Sequence, residues 1–302
     1  MRQRLSSMVA KGQLRGVATL LLLTFAASAC SRNPDVIVVG SKNFTESIIL
    51  GELLAQQLES HGFEVERKFN LGGSFIAHQA MVAGQMDMYV EYTGTAYSAI
   101  LELPLERNAQ HVRRTVDSVY ADRWGIIWTE SLGFNNTFAM LVRGETVRQL
   151  GITSLSQAVP HTPNWKAGFG FEFIGRPDGL PGLKDWYGFE FREEPSAMDL
   201  SLTYRALADG TVDLIAGNST DGQIEALDLV HLRDDRSFFP PYEAVPTVRA
   251  QVVERHPEIR KALRDLGGVL SEEEMRHLNF LVDAQGQTVG TVVHDFLRTV
   301  EH

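Results

Sequence analysis

Apolar and polar positions along this chain fall into two alternating rhythms. Residues 36–40 are a short β-branched run ending in glycine, the pattern of a buried parallel strand. Thr45 then stands where a helix N-cap is expected. Glu46 falls in the first turn, where it complements the helix dipole. Ile48, Ile49, Leu53, Leu54 and Leu58 recur at helical spacing, and His61-Gly62 closes that helix. Residues 63–69 alternate like a half-exposed strand, a helix runs through 81, and 86–90 read as a buried strand. A helix over 107–124 and a strand over 126–128 follow. The pattern then restarts, with strands over 165–171, 189–191 and 212–216 and helices over 182–187, 200–207 and 222–227. Residues 245–253 read as strand, and 257–266, 271–279 and 288–300 as helices. The second of these opens on the capping box Ser271-Glu-Glu-Glu274. Strand–helix–strand order of this kind predicts open α/β sheets with right-handed crossovers.

The two halves share more than rhythm. Gly84 matches Gly210, Asp87 matches Asp213 and Tyr92 matches Asn218, all at the same offset of 126 residues. Gly62-Phe63-Glu64 and Gly188-Phe189-Glu190 keep that offset. It is too long for a solenoid period. It fits two open α/β domains on one plan, joined by two strand crossovers near 139–142 and 243–248. Lobe 1 is then 35–140 plus 244–302, and lobe 2 is 141–243. The turn after the strand over 86–90 is expected to expose Tyr92 and Thr95 between them.

Composition narrows this only slightly. With 44% hydrophobic and 22% charged residues among 302, the chain is ordinary globular protein. Its net charge of −10 argues against a polyanionic partner such as nucleic acid. Residues 1–29 carry Arg2, Arg4, Lys11 and Arg15 and no acid, followed by an apolar run over 17–27 that is too short to span a membrane. They read as a signal peptide, whose removal leaves a net charge of about −14. Ala27-Ser28-Ala29-Cys30 resembles a lipobox, with Ala27 where Leu is usual. Cys30 is then the lipidated residue, 30–34 a tether, and the body an extracytoplasmic, lipid-anchored protein. Cys30 is the single cysteine, so no intramolecular disulfide forms.

The sequence carries no Gly-x-Ser-x-Gly elbow, phosphate loop, His-Glu-x-x-His or Cys/His cluster, and it predicts neither enzyme, metal nor cofactor. Ser74 and His78 lie one helical turn apart, but on a helix that reads as amphipathic. The informative residues sit at strand-to-helix turns, where open α/β sheets bind ligands. Those turns collect aromatics, hydroxyls, amides and two cations, Lys42 and Arg176. Aromatic faces attract a quaternary ammonium group by roughly 0.5–2 kcal/mol each. Cations and helix N-termini suit a carboxylate.

Gly40-Ser-Lys-Asn-Phe-Thr-Glu46, Asn70-Leu-Gly-Gly73, Glu91-Tyr-Thr-Gly-Thr95, Gly133-Phe-Asn-Asn-Thr137, Ser219-Thr-Asp-Gly222 and Phe238-Phe-Pro-Pro-Tyr242 together resemble the substrate-binding proteins of osmoprotectant ABC transporters, in order along the mature chain. That family takes up glycine betaine, choline, carnitine and related solutes. The resemblance implies a type II periplasmic-binding-protein fold, a monomer that closes on its ligand, and a permease and its ATPase as partners. It also implies Lys42 and Arg176 as carboxylate-side contacts with Thr95 adding a hydroxyl. Tyr92 and Tyr242 are implied as cage walls, with Asn136 as a polar neighbour. Two positions depart from the family pattern: Phe138 and Asn218 stand where many members have Tyr. The thinner cage leaves open a betaine, or another zwitterion of the ergothioneine type. A solute sensor and an enzyme on the same scaffold are the competing functions.

Overall fold

The computed structural model describes residues 33–300. The expected signal peptide and Cys30 lie outside the described residues. Among the described residues, ten strands form two five-stranded sheets. The first contains β1 (Val36–Gly40), β2 (Glu64–Lys68), β3 (Met88–Tyr92), β4 (Ile126–Trp128) and β10 (Ala244–Arg249). The second contains β5 (Phe138–Arg143), β6 (Ala167–Gly170), β7 (Ser196–Met198), β8 (Leu214–Asn218) and β9 (Leu229–His231). Their orders, β2-β1-β3-β10-β4 and β7-β6-β8-β5-β9, are the same plan drawn twice. In each sheet the central strand has a parallel neighbour on one side and an antiparallel one on the other. These are β1 and β10 for β3, and β6 and β5 for β8.

The repeat has a physical basis. Gly84 and Gly210 both adopt left-handed backbone, φ 72° and 73°, where a side chain would be strained. Each ends a helix and returns the chain to the sheet. Asp87 Oδ2 then accepts from Val38 N at 2.9 Å, and Asp213 Oδ2 from Lys166 N at 3.0 Å, tying each incoming central strand to its parallel neighbour's start. Arg143 on β5 pairs with Asp213 at 2.7 Å, and Arg249 on β10 approaches Asp87 at 3.7 Å.

Both faces of each sheet are covered, so the central strands are buried throughout most of their length. The helix Thr45–Ser60 buries Ile49, Leu50, Leu53, Leu54 and Leu58 against one face of the first sheet. The helices Glu272–Asp283 and Val289–Val300 return to that same cluster with Met275, Val293 and Phe296. Each such side chain contributes roughly 1.5–3 kcal/mol of burial. The capping box forms as expected. Glu274 N donates to Ser271 Oγ at 3.1 Å and Ser271 N to Glu274 Oε2 at 2.7 Å, worth about 1 kcal/mol.

Five local expectations differ from the structure. Thr45 is the first helical residue, not the cap. Its hydroxyl donates instead to Asp283 Oδ1 at 2.6 Å, while Phe44 holds the cap position without a side-chain bond. Residues 189–191 form no strand, because Phe189 packs among Tyr187 and Phe191 and the strand begins later, at Ser196. Residues 245–253 split, β10 ending at Arg249 and a helix running Ala250–Arg255. Tyr92 and Thr95 are both 4% exposed, so the turn buries them. The chain passes between sheets at 129–137 and 232–243, ahead of the strands expected to cross. These passages run antiparallel, bridged at Asn135 and Glu243 and by Asn136 N donating to Tyr242 O at 3.0 Å.

Candidate ligand-binding site

The carboxyl ends of β1, β3, β6 and β8 face a cavity of about 290 Å³. Lys42, Tyr92 and Thr95 reach it from the first sheet's turns. Phe138, Arg176 and Asn218 reach it from the second, and Asn136 and Tyr242 from the two passages. All eight residues singled out in the sequence line this one cavity. Phe44, Ser74, Phe171, Glu172 and Leu200 line it as well.

The walls are aromatic. Phe138 meets Tyr242 at 5.9 Å and Phe173 at 5.0 Å, both edge to face, and Phe44 stacks on Tyr92 at 6.4 Å. The two positions that depart from the family pattern are direct partners, since Phe138 on β5 pairs with Asn218 on β8. An amide rather than a ring therefore stands beside Phe138.

Both cations already have carboxylate partners that sequence reasoning missed. Lys42 Nζ lies 2.6 Å from Glu91 Oε1, and both side chains are almost fully buried. Arg176 binds Asp178 in a fork, Nε to Oδ1 at 2.9 Å and Nη2 to Oδ2 at 2.5 Å, and Tyr242 OH donates to the same Oδ2 at 2.6 Å. Burial works against the Arg176 charge, but Asp178 more than offsets it, and the guanidinium pKa ends above its usual value. The cations also face rings. Lys42 Nζ is 4.5 Å from the Tyr92 centroid, and Arg176 Cζ is 5.0 Å from that of Phe138. A charged residue inside the otherwise apolar run of β3 was the available signal for Glu91. The two-residue spacing in Arg176-Pro-Asp178 was the signal for its partner.

Glu46 is a third buried carboxylate, read from sequence only as a dipole partner. Its Oε1 accepts from Tyr92 OH at 2.6 Å and Asn136 Nδ2 at 2.8 Å. Oε2 accepts from Asn279 Nδ2 at 3.1 Å and from the Thr220 hydroxyl. Burial raises the Glu46 pKa, and these four donors lower it only in part. Further contacts bridge the sheets across the cavity. Glu172 Oε1 accepts from Ser74 N at 2.5 Å at the start of the helix Ser74–Val82, and Arg176 Nη2 donates to Thr95 Oγ1 at 3.2 Å. Ser74 Oγ also donates to Glu172 Oε2 at 3.1 Å, so Ser74 serves this bridge rather than His78. The His78 ring packs against Tyr120 and Trp124.

Below the cavity, burial pushes the Asp221 carboxyl up to about 6 from an ordinary 3.8. The folded chain therefore holds a proton there that the unfolded chain has lost between those two pH values. That stability is complete below pH 4 and is lost as pH rises through 6. Asp221→Asn is expected to be more stable than the parent at pH 7, by up to about 3 kcal/mol, and to melt higher. The gap should close below pH 4; melts at pH 3.5 and 7 check this. An equal gap at both would mean that desolvation of this carboxylate is not the cause.

A model of the substrate-binding domain of ABC-type glycine betaine transport systems matches residues 35–299. An ergothioneine transport permease/ergothioneine binding protein of Helicobacter pylori is 34% identical over 93% of this chain. The chain spans about half the length of that relative, 51%. A glycine-betaine-binding protein of Pseudomonas aeruginosa is also 34% identical, over 87% of this chain and 88% of its own length. Among solved structures, a glycine betaine/carnitine/choline ABC transporter protein superposes with TM-score 0.73 at 30% identity. The match covers 87% of this chain and 98% of that one.

Proposed function

Because the chain belongs to the substrate-binding domain family of ABC-type glycine betaine transport systems, we propose that it captures a quaternary ammonium or zwitterionic solute and delivers it to an importer made of a permease and its ATPase. The observation that carries this reading is the cavity. It joins aromatic faces and buried ion pairs drawn from both sheets, a combination suited to a solute with an ammonium head and a polar tail. Within it, Tyr92, Tyr242 and Phe138 act as walls for the ammonium group. Lys42, Arg176 and Thr95 hold the polar end, and Asn136 and Asn218 set the polarity beside the walls.

Two lobes close on the solute, their boundary moved from 140/141 to 137/138 because β5 pairs wholly within the second sheet: residues 35–137 plus 244–302, and residues 138–243. The hinge lies in the paired passages at 129–137 and 232–243, a short segment in each strand of connection that absorbs the rotation. No helix among the described residues is long and apolar enough to cross a membrane. Attachment is through a lipid on Cys30, on the extracytoplasmic side.

A ligand that binds only the folded state raises the melting midpoint by mass action, about 2.7 kcal/mol at a hundredfold excess over Kd. At least one of glycine betaine, choline, carnitine, proline betaine and ergothioneine at millimolar concentration is expected to raise it. A flat panel would sink this ligand class.

A further inference from the structure

Three phenylalanines alternate where β6 turns into the helix Phe171–Gly175: Phe169, Phe171 and Phe173. Phe169 and Phe173 are buried in the core of the second lobe, and Phe173 meets Phe138 edge to face at 5.0 Å. Phe171 is left out of that core. It borders the cavity and yet is 69% exposed, more than any other large apolar side chain among the described residues. An isolated exposed ring is ordinary on a protein surface. What sets this one apart is the residue beside it.

Glu172 reaches from the second lobe to the first. Its Oε1 accepts from Ser74 N and its Oε2 from Ser74 Oγ, at the start of the helix Ser74–Val82, where the helix dipole favours a carboxylate. Arg176, four residues on, donates Nη1 to Oε2 at 3.4 Å and holds the carboxylate from its own lobe. Gly73 leaves the room for this approach, since a β-carbon there would collide with Glu172 Oε1. Ser74 and Glu172 belong to different lobes, so opening the lobes would break these bonds. While they last, they fix the backbone next to Phe171 at the edge of the cavity.

We propose that Phe171 is a further wall of the ligand site, a lid ring that the Glu172–Ser74 contact seats over the ammonium group when the lobes close. Asn218 lines the same cavity from the second lobe with an amide, and the ring of Phe171 adds an aromatic face that this amide lacks. A ring in water gains twice when a ligand enters: its face meets the ammonium group, and its apolar surface is covered. Because Glu172 holds the adjoining backbone, less freedom is lost in placing the ring. The lid acts mainly on how long the ligand stays, since it opposes release more than entry. This rests on the quaternary ammonium reading of the cavity and adds a residue to it.

The probes are the five compounds of the melting panel, titrated calorimetrically into the full chain, with release rates from NMR exchange at their N-methyl protons. Phe171→Ala is expected to weaken binding about five- to tenfold, chiefly through faster release. It should leave the melting midpoint of the ligand-free protein unchanged, because the ring is mostly solvated. Phe171→Tyr should rescue most of the affinity and Phe171→Leu little of it. Glu172→Ala should cost about as much as Phe171→Ala, and the double variant little more than either, because ring and latch act as one unit. If Phe171→Ala binds as well as the parent while Tyr92→Ala is weakened, the lid is refuted and the ammonium reading stands. Additive losses in the double variant would overturn the seating by Glu172. If no probe binds the parent, the ammonium reading falls and the lid with it.

Discussion

Arg176→Ala is expected to lower the melting temperature by roughly 10 °C, from about 3–5 kcal/mol of lost stability. The size follows from what remains behind. Asp178 has no exposed side-chain surface, and without Arg176 the one hydrogen bond its carboxylate keeps among the described residues is from the Tyr242 hydroxyl. A buried charge stripped of its partner costs far more than the pair was worth, since the pair itself is stabilised only after offsetting the desolvation of both ions. Replacing both members, Arg176→Met with Asp178→Leu, should therefore recover much of the lost stability. Melting curves of the single and double variants check this. A single variant as stable as the parent would mean that the pair is open to water.

The second large effect is on binding. Tyr92→Ala removes a wall of the cavity and is expected to weaken binding of a quaternary ammonium ligand by about 2 kcal/mol or more, roughly thirtyfold. Two losses combine. The ring face disappears, and Glu46 loses the hydroxyl that helps hold it as a carboxylate. Phe138→Tyr, which adds a hydroxyl and keeps the ring, should change affinity less than about threefold. Tyr92→Phe separates the two losses, because it keeps the face and deletes only the bond to Glu46. Calorimetric titration of the three variants against one ligand measures the order. Equal losses for Tyr92→Ala and Phe138→Tyr would contradict an aromatic cage.

Much of this molecule was legible in its sequence because the duplication repeats physical necessities. A left-handed glycine, an aspartate tying the strand start and an apolar central strand are needed once per sheet, so they recur at a fixed offset. β3 at 88–92 and β8 at 214–218 keep it without a gap. The repeat misled where a local cluster intervened. Phe189 looks like Phe63, but it packs into an aromatic group, and the strand follows several residues later. Seven of the eight site residues could be read because turns at strand ends converge; Tyr242 was singled out only by the family resemblance. Of their buried counter-charges, Asp178 stood two residues from Arg176 and within local reach, and Glu91 was marked only as a charge in an apolar strand, since its pairing with Lys42 joins residues 49 apart. Glu46 was hidden in the same way. Its donors come from four distant segments, and as a first-turn glutamate it had a sufficient local explanation.

The central claim is that aromatic faces in the cavity hold an ammonium group. Saturation-transfer NMR tests it most directly, with the aromatic protons of the protein irradiated in the presence of the compound that most raises the melting midpoint. The N-methyl protons of that compound are expected to receive the strongest saturation, and Tyr92→Ala should abolish it. Strong saturation elsewhere on the compound with none at the N-methyl groups, or an unchanged pattern in Tyr92→Ala, would contradict the account.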